Sequence, residues 1–212
     1  IATEHGTLYV QANTGRYVFK ADEVGINKLE SDDSIHYSFS VQVGDNTQII
    51  QVNVQGTNDP AQIKLATNTL DFTEMSGPDL VPSNSKTVLF NALGVTMTDV
   101  EGTGVSSLTL SCNHFVAGDE IRAHTITGKF VVASADDEAA GGSGTIRLLN
   151  LPAFNYTWTL VNESLTFTIT NASTTKLLDY RSALHALGFN NSSDTPDTTD
   201  RTFTLQVTST DA

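Results

Sequence analysis

The sequence predicts an all-β chain of tandem antiparallel β-sandwiches, the second with a short helical crossover. Three observations carry this. In "IHYSFSVQV" the residues Ile35, Tyr37, Phe39, Val41 and Val43 fall on one face with polar residues between them, the period of two that marks a half-buried strand. Short runs rich in Thr, Val and Ile recur along the chain, separated by Gly, Asn and Asp, which is how short strands and turns read. One stretch breaks the period: "TTKLLDYRSALHALGF" sets Leu177, Leu178, Tyr180, Ala183, Leu184 and Leu187 at helical spacing.

Taken in order, "GTLYVQ" and "RYVF" flank Asn13-Thr14-Gly15 as a first hairpin. After it, "IHYSFSVQV" and "QIIQVNV" flank Gly44-Asp45-Asn46, so residues 35–54 read as a second. Four strands thus precede Pro60. Beyond it come "AQIKL", "TVLFNALGVTMTD", "SLTLSC", "HTITGKFVV", "TIRLLNL", "YTWTLV", "SLTFTIT" and "TFTLQVTS" as strands. Leu108, Leu110 and Cys112 share one face, as do Leu165, Phe167 and Ile169, and Phe203, Leu205 and Val207. The helix is expected over residues 174–187, with a threonine cap and Gly188 at its end. The stretch "ASADDEAAGGSGT", 133–145, reads as an exposed acidic loop.

The 212 residues suit one large domain or two small ones, and the pattern favours two. An immunoglobulin-like sandwich needs about seven strands, more than residues 1–59 offer. The expectation is therefore a first unit cut from a longer tandem array, or one completed by a strand from elsewhere. Ile1 does not open a signal peptide, which points to a processed or excised boundary. No window approaches the roughly 20 apolar residues of a membrane-spanning helix. With 24 acidic against 11 basic residues the net charge is -13; such a chain repels phosphate backbones and anionic lipid and suits cations.

The single cysteine, Cys112, excludes an intramolecular disulfide, and its place on an apolar strand face reads as an inert thiol. The histidines show no H-x-x-x-H spacing, and neither a G-x-S-x-G elbow nor a P-loop is present. The expectation is a chain without catalytic activity. Five N-x-S/T sequons, at Asn155, Asn162, Asn171, Asn190 and Asn191, matter only in a glycosylating host.

The richest oxygen chemistry lies in Gly56-Thr57-Asn58-Asp59-Pro60. Pro60 stiffens the junction, and Asn58 and Asp59 supply side-chain oxygens of the kind Ca2+ takes in sets of about six to eight. Glu74 in "LDFTEMSGP" and Asp99 with Glu101 in "MTDVEGTG" are further candidate ligands. The same Asx residues also serve as turn formers, and spacing leaves the two roles open. A weaker ligand site is Asp136, Asp137 and Glu138, or else that loop is a solvated connection. Trp158, alternating with Tyr156 in "FNYTWTL", reads either as a core residue or as part of an exposed sugar-stacking strip.

"HGTLYVQANTGRYVF", "HYSFSVQV" and "VNVQGTNDP" resemble the end of a VCBS-type repeat, an immunoglobulin-like module of giant bacterial repeats-in-toxin-type adhesins. "LDFTEMSGP", "VTMTDVEGTGVSSLTLS", "HFVAGDEI" and "YRSALHALGFNNSSDTPDTTDRTFTLQVTSTDA" resemble the cadherin-like module of the same proteins. The resemblance implies residues 1–59 as the C-terminal part of a VCBS-like sandwich and residues 60–212 as a cadherin-like sandwich. It also implies Ca2+ at domain junctions, with Asn58, Asp59, Glu74, Asp99, Glu101 and Asp211 as the matching ligand positions. Three departures stand out: no alanine between Asp59 and Pro60, Glu101 for the second Asp of D-x-D, and "VTSTDA" for a more acidic ending. The function implied is that of a non-enzymatic structural or adhesive segment, extracellular or at the cell surface, whose partners are neighbouring repeats of one long chain. The alternatives are a module that binds glycan or peptide of host or matrix, or a subunit of an extracellular filament or sheath. Neither nucleic acid nor membrane insertion is expected.

Overall fold

The computed structural model describes residues 1–57, 59–71, 88–99, 104–125, 128–173 and 176–210. Among the described residues the structure is mostly β, 52 % strand against 9 % helix, and the sheets are antiparallel. It divides into two compact units, one built on Ile1–Pro60 and the other on Ala61–Thr98 and Thr103–Thr210.

In the first unit, β1 (Ala2–Thr3), β2 (Gly6–Val10) and β3 (Tyr17–Ala21) form one sheet in that order, and β4 (Ser34–Val43) pairs with β5 (Asn46–Gln55) along its whole length. The short α1 (Glu23–Ile26) is capped by Asp22, whose carboxylate accepts from the Gly25 amide at 2.9 Å. The alternation read in the sequence decides which side of the hairpin is covered. Phe39 is buried while Ile35, Tyr37, Ile50, Val52 and Val54 are half-buried, and the residues between them are exposed. Leu8, Leu29 and Phe39 make the core, with Phe19 against Phe39 and Tyr37 at ring-centroid distances of 6.2 and 6.3 Å.

The second unit opens with β6 (Gln62–Lys64), then β7 (Val88–Leu89), a 3-10 turn at Phe90–Leu93 and β8 (Thr96–Thr98), which pairs with β6. There follow β9 (Val105–Asn113), β10 (Asp119–Thr125), β11 (Gly128–Ser134), β12 (Gly141–Ile146), β13 (Phe154–Val161), β14 (Ser164–Thr170), α2 (Leu177–His185), β15 (Leu187–Asn191) and β16 (Thr202–Ser209). One sheet runs β12-β13-β14-β9-β16 and another β11-β10-β15-β7. A single apolar cluster draws on both: Leu108, Leu110 and Cys112 of β9, Leu165, Phe167 and Ile169 of β14, and Ile121 and Ala123 of β10 are all at most 1 % exposed. Tyr180 of α2 anchors the helix to it. Its hydroxyl donates to the Ser106 carbonyl at 2.8 Å and accepts from the Asn171 amide at 3.0 Å, and its ring meets Phe154 edge-on at 5.3 Å.

Four expectations are corrected. "TVLFNALGVTMTD" is two short strands around a 3-10 turn, because Gly94 takes φ 59 and ends the turn in the left-handed region. The helix spans Leu177–His185, and Gly188 lies within β15 rather than closing the helix; the threonines expected to cap it, Thr174 and Thr175, lie outside the described residues. The acidic loop is shorter than 133–145, since residues 133–134 end β11 and residues 141–145 belong to β12. Correspondingly, "TIRLLNL" is strand only at Thr145 and Ile146. Glycine-rich "GGSGTI" is a strand because its partner makes it one: Gly142 and Gly144 lie opposite Trp158 and Tyr156. A Cβ on Gly142 would sit 2.7 Å from the Trp158 indole nitrogen, and one on Gly144 2.6 Å from the Tyr156 hydroxyl, so the aromatics occupy the room the missing side chains leave.

Candidate functional site

The densest polar chemistry among the described residues is at one end of the second unit. There residues 114–119, 135–140, 162–163 and 192–201 are tied together by the Phe115 amide on the Glu163 carbonyl (2.8 Å), the Ser192 amide on the Gly118 carbonyl (2.8 Å) and the Leu160 amide on the Ala140 carbonyl (2.8 Å). At its centre is Asp119, the first residue of β10 and fully buried. Pairing of β10 with β15 sets Asp119 opposite Asn191, whose Nδ2 donates to Asp119 Oδ1 at 2.6 Å. Arg201 donates from Nε to Oδ2 at 2.8 Å and from Nη2 to Oδ1 at 3.2 Å, and the Val116 amide adds a bond to Oδ2 at 3.0 Å. Four donors thus meet its two oxygens, so the carboxylate is buried with its acceptors paired.

Arg201 also holds the crossover between β15 and β16 in place. Its Nη1 donates to the Asp197 carbonyl at 3.1 Å and to the Thr199 carbonyl, and meets Asp197 Oδ1 at 3.4 Å. Burial works against the Arg201 charge, but Asp119 and Asp197 outweigh it and raise the guanidinium above its usual value. Thr199 bonds to the Asp197 carboxylate, chiefly, and His114 beside it bring that acid down to about 2. One register step along, on the opposite face of the sheet from Ile121, Glu120 Oε2 accepts from Arg122 Nε at 2.7 Å and from Asn190 Nδ2 at 2.8 Å.

The acidic turn is an ordered part of this end. Both carboxylate oxygens of Asp136 accept from the Gly118 amide at 3.1 Å, and Asp137 Oδ1 accepts from the Ala139 amide at 3.0 Å. These bonds occupy Asp136 and Asp137 in shaping the turn, while Glu138 is exposed. Trp158 is 4 % exposed within the apolar cluster. The sugar-stacking role considered for it is corrected, since a buried ring presents no face to a ligand; its strand alternation turns it to the same side as Phe154, inward.

Of the junction ligands, Asp59 and Asp99 are described. Both are half-buried, Asp59 beyond the end of β5 and Asp99 immediately after β8. Asn58, Glu74, Glu101 and Asp211 lie outside the described residues. Among the described residues no group of three or more His, Cys, Asp or Glu side chains is placed to hold a metal ion. The junction is held at both ends: the Gly56 amide donates to the Asp33 carbonyl at 3.0 Å within the first unit, and the Ala61 amide to Ser209 Oγ at 3.0 Å within the second. Gly56 is tucked under Leu29 and Glu30 where a Cβ has no room. Only residues 57–60 lie between the two anchors.

Cys112 is fully buried and burial, helped by Asp119 and opposed by Arg201, pushes its thiol up to about 12. His185 is held below the usual imidazole value by burial and then by Arg181. Three of the five sequons are interior, with Asn171, Asn190 and Asn191 at most 9 % exposed, whereas Asn155 and Asn162 face solvent. The Asp119–Arg201 pair itself was not found from sequence spacing, because its members are 82 positions apart; "HFVAGDEI" and "DTTDR" contain both residues without showing that they meet. Compared with known protein families, curated proteins and solved structures, the chain matches none of them. No helix among the described residues is long and apolar enough to cross a membrane.

Proposed function

We propose that this chain is a non-enzymatic structural segment of a large adhesive protein at the cell surface. On this reading residues 1–59 are the end of a VCBS-like immunoglobulin sandwich, residues 60–212 are a cadherin-like sandwich, and Ca2+ stiffens the joint. The observation that carries it is the linker. The flanks of residues 57–60 are each tied into their own unit, by the Gly56 amide on one side and the Ala61 amide on the other, and Pro60 limits the backbone between them, so a bound ion has only this short segment to fix. Asp59 in the linker and Asp99 at a strand end offer oxygen donors only, the chemistry that a hard cation takes. In this proposal Asn58, Glu74, Glu101 and Asp211 complete the ligand set.

A cation bound only by the folded chain also stabilises it, by about 2.7 kcal/mol per site at 100 times its dissociation constant. The mechanical consequence is a long multidomain protein that stands extended and presents ligand-binding modules away from the cell. The test is a thermal melt of residues 1–212 in excess chelator and in millimolar Ca2+, repeated with Asp59→Ala and Asp99→Ala. The proposal expects a Ca2+-dependent rise in Tm that either substitution reduces. Equal Tm with and without Ca2+ overturns the ion-clamped joint.

A further inference from the structure

His114 follows β9 at φ 59, in the left-handed region. It stands between two loops. Its Nδ1 is 3.1 Å from Glu163 Oε2 in the turn joining β13 and β14, and its Nε2 is 3.5 Å from Asp197 Oδ2 in the crossover from β15 to β16. Nε2 is buried and has no hydrogen-bond partner. A neutral imidazole carries one N–H, so it donates to one carboxylate and turns a lone pair toward the other; an imidazolium donates from both nitrogens. The two loops therefore compete for the single proton of the neutral ring and share the two of the charged one.

We propose that His114 is a proton-operated clasp, which fastens the crossover of residues 192–201 to the β13–β14 turn when it is charged and holds only one of them when it is neutral. The groups facing the ring are Glu163 from the turn and Asp197 from the crossover. Arg201 bonds the other oxygen of Asp197, and Asp119 stands behind Arg201. Arg201 keeps the crossover attached in either state, so the clasp adjusts its mobility rather than releasing it. The low value of Asp197, about 2, keeps that carboxylate charged throughout the range in which an imidazole titrates. Acid then tightens this end of the unit and neutral conditions loosen it. The inference owes nothing to Ca2+ and does not rest on the proposed function.

The test is amide hydrogen exchange of the 212-residue chain followed in steps from about pH 5 to about pH 8, the interval in which histidine side chains as a class change charge, corrected for the intrinsic pH dependence of exchange. The expected result is that residues 192–201 are about two- to fivefold better protected in acid, the range of a partly exposed ion pair. His114→Asn suits the left-handed backbone, which asparagine tolerates, and should erase the difference. Asp197→Asn should erase it too, with the imidazole retained. Protection of residues 192–201 that is unchanged or lower in acid, or an acid gain that survives His114→Asn, overturns the clasp.

Discussion

Asp119 and Arg201 lie 82 positions apart in the chain and form a two-pronged ion pair, 2.8 and 3.2 Å, in which the carboxylate is fully buried and the guanidinium side chain only 7 % exposed. The pair joins the start of β10 to the residue before β16, and thereby connects the four-stranded and the five-stranded sheet of the second unit at one end.

Removing one partner strands the other in the interior. Arg201→Met is expected to destabilise the second unit by about 3–5 kcal/mol, the cost typical of breaking a buried pair. Arg201→Lys should fall between that and wild type, because an ammonium cannot reproduce the fork that meets both Asp119 oxygens. The neighbouring exposed Asp200→Asn should stay within about 0.5 kcal/mol of wild type. Urea unfolding curves of the three variants check the order, and a wild-type midpoint for Arg201→Met would show that the pair contributes nothing net.

The glycines of β12 give a second expectation. In Gly142→Ala the new methyl meets the Trp158 indole at 2.7 Å, and overpacking of this kind costs about 1–3 kcal/mol. Trp158 is the single tryptophan of the chain, so its emission reports the site directly. The spectrum should shift to the red as the ring is displaced toward solvent, whereas Ser143→Ala, exposed on the other face of the same strand, should leave it unchanged. Identical emission from Gly142→Ala and wild type would mean that the ring is not held by the glycine.

Cys112 supplies a chemical readout of folding. With its thiol pushed up to about 12, roughly one thiol in ten thousand is ionised at pH 8, and only the thiolate attacks a disulfide reagent. The folded chain should leave Ellman's reagent unreacted over an hour and release one equivalent of product once urea is added. The sign of the linkage follows from the raised value: the unfolded chain gives up this proton more readily, so the contribution to stability is complete below the ordinary thiol value and declines as pH rises toward about 12. Prompt reaction of the folded chain would place the sulfur within reach of solvent.

Much of the architecture was legible along the chain. Period-two alternation marked β4, β5, β9, β14 and β16, and its apolar face is the covered face in each, because side chains alternate across a strand whatever it pairs with. The helix was found by its change of period, with Tyr180, Ala183 and Leu184 as its buried stripe. Cysteine count and strand phase were enough to make Cys112 an interior thiol. These are local properties, written within ten or so residues.

What tertiary structure alone decided is of a different kind. "GGSGTI" has little strand propensity of its own and becomes β12 because Trp158 and Tyr156 lie across its glycines. Asp136 and Asp137 look like free carboxylates in sequence and are taken up by the Gly118 and Ala139 amides. Asp119, Asn191 and Arg201 carry no mutual signal in sequence, since their meeting depends on which strands pair and in what register. By itself the sequence determined which residues turn inward along each strand, because that needs only backbone alternation. Which of its many acids is buried and paired was decided by the sheets that brought Arg201 to Asp119.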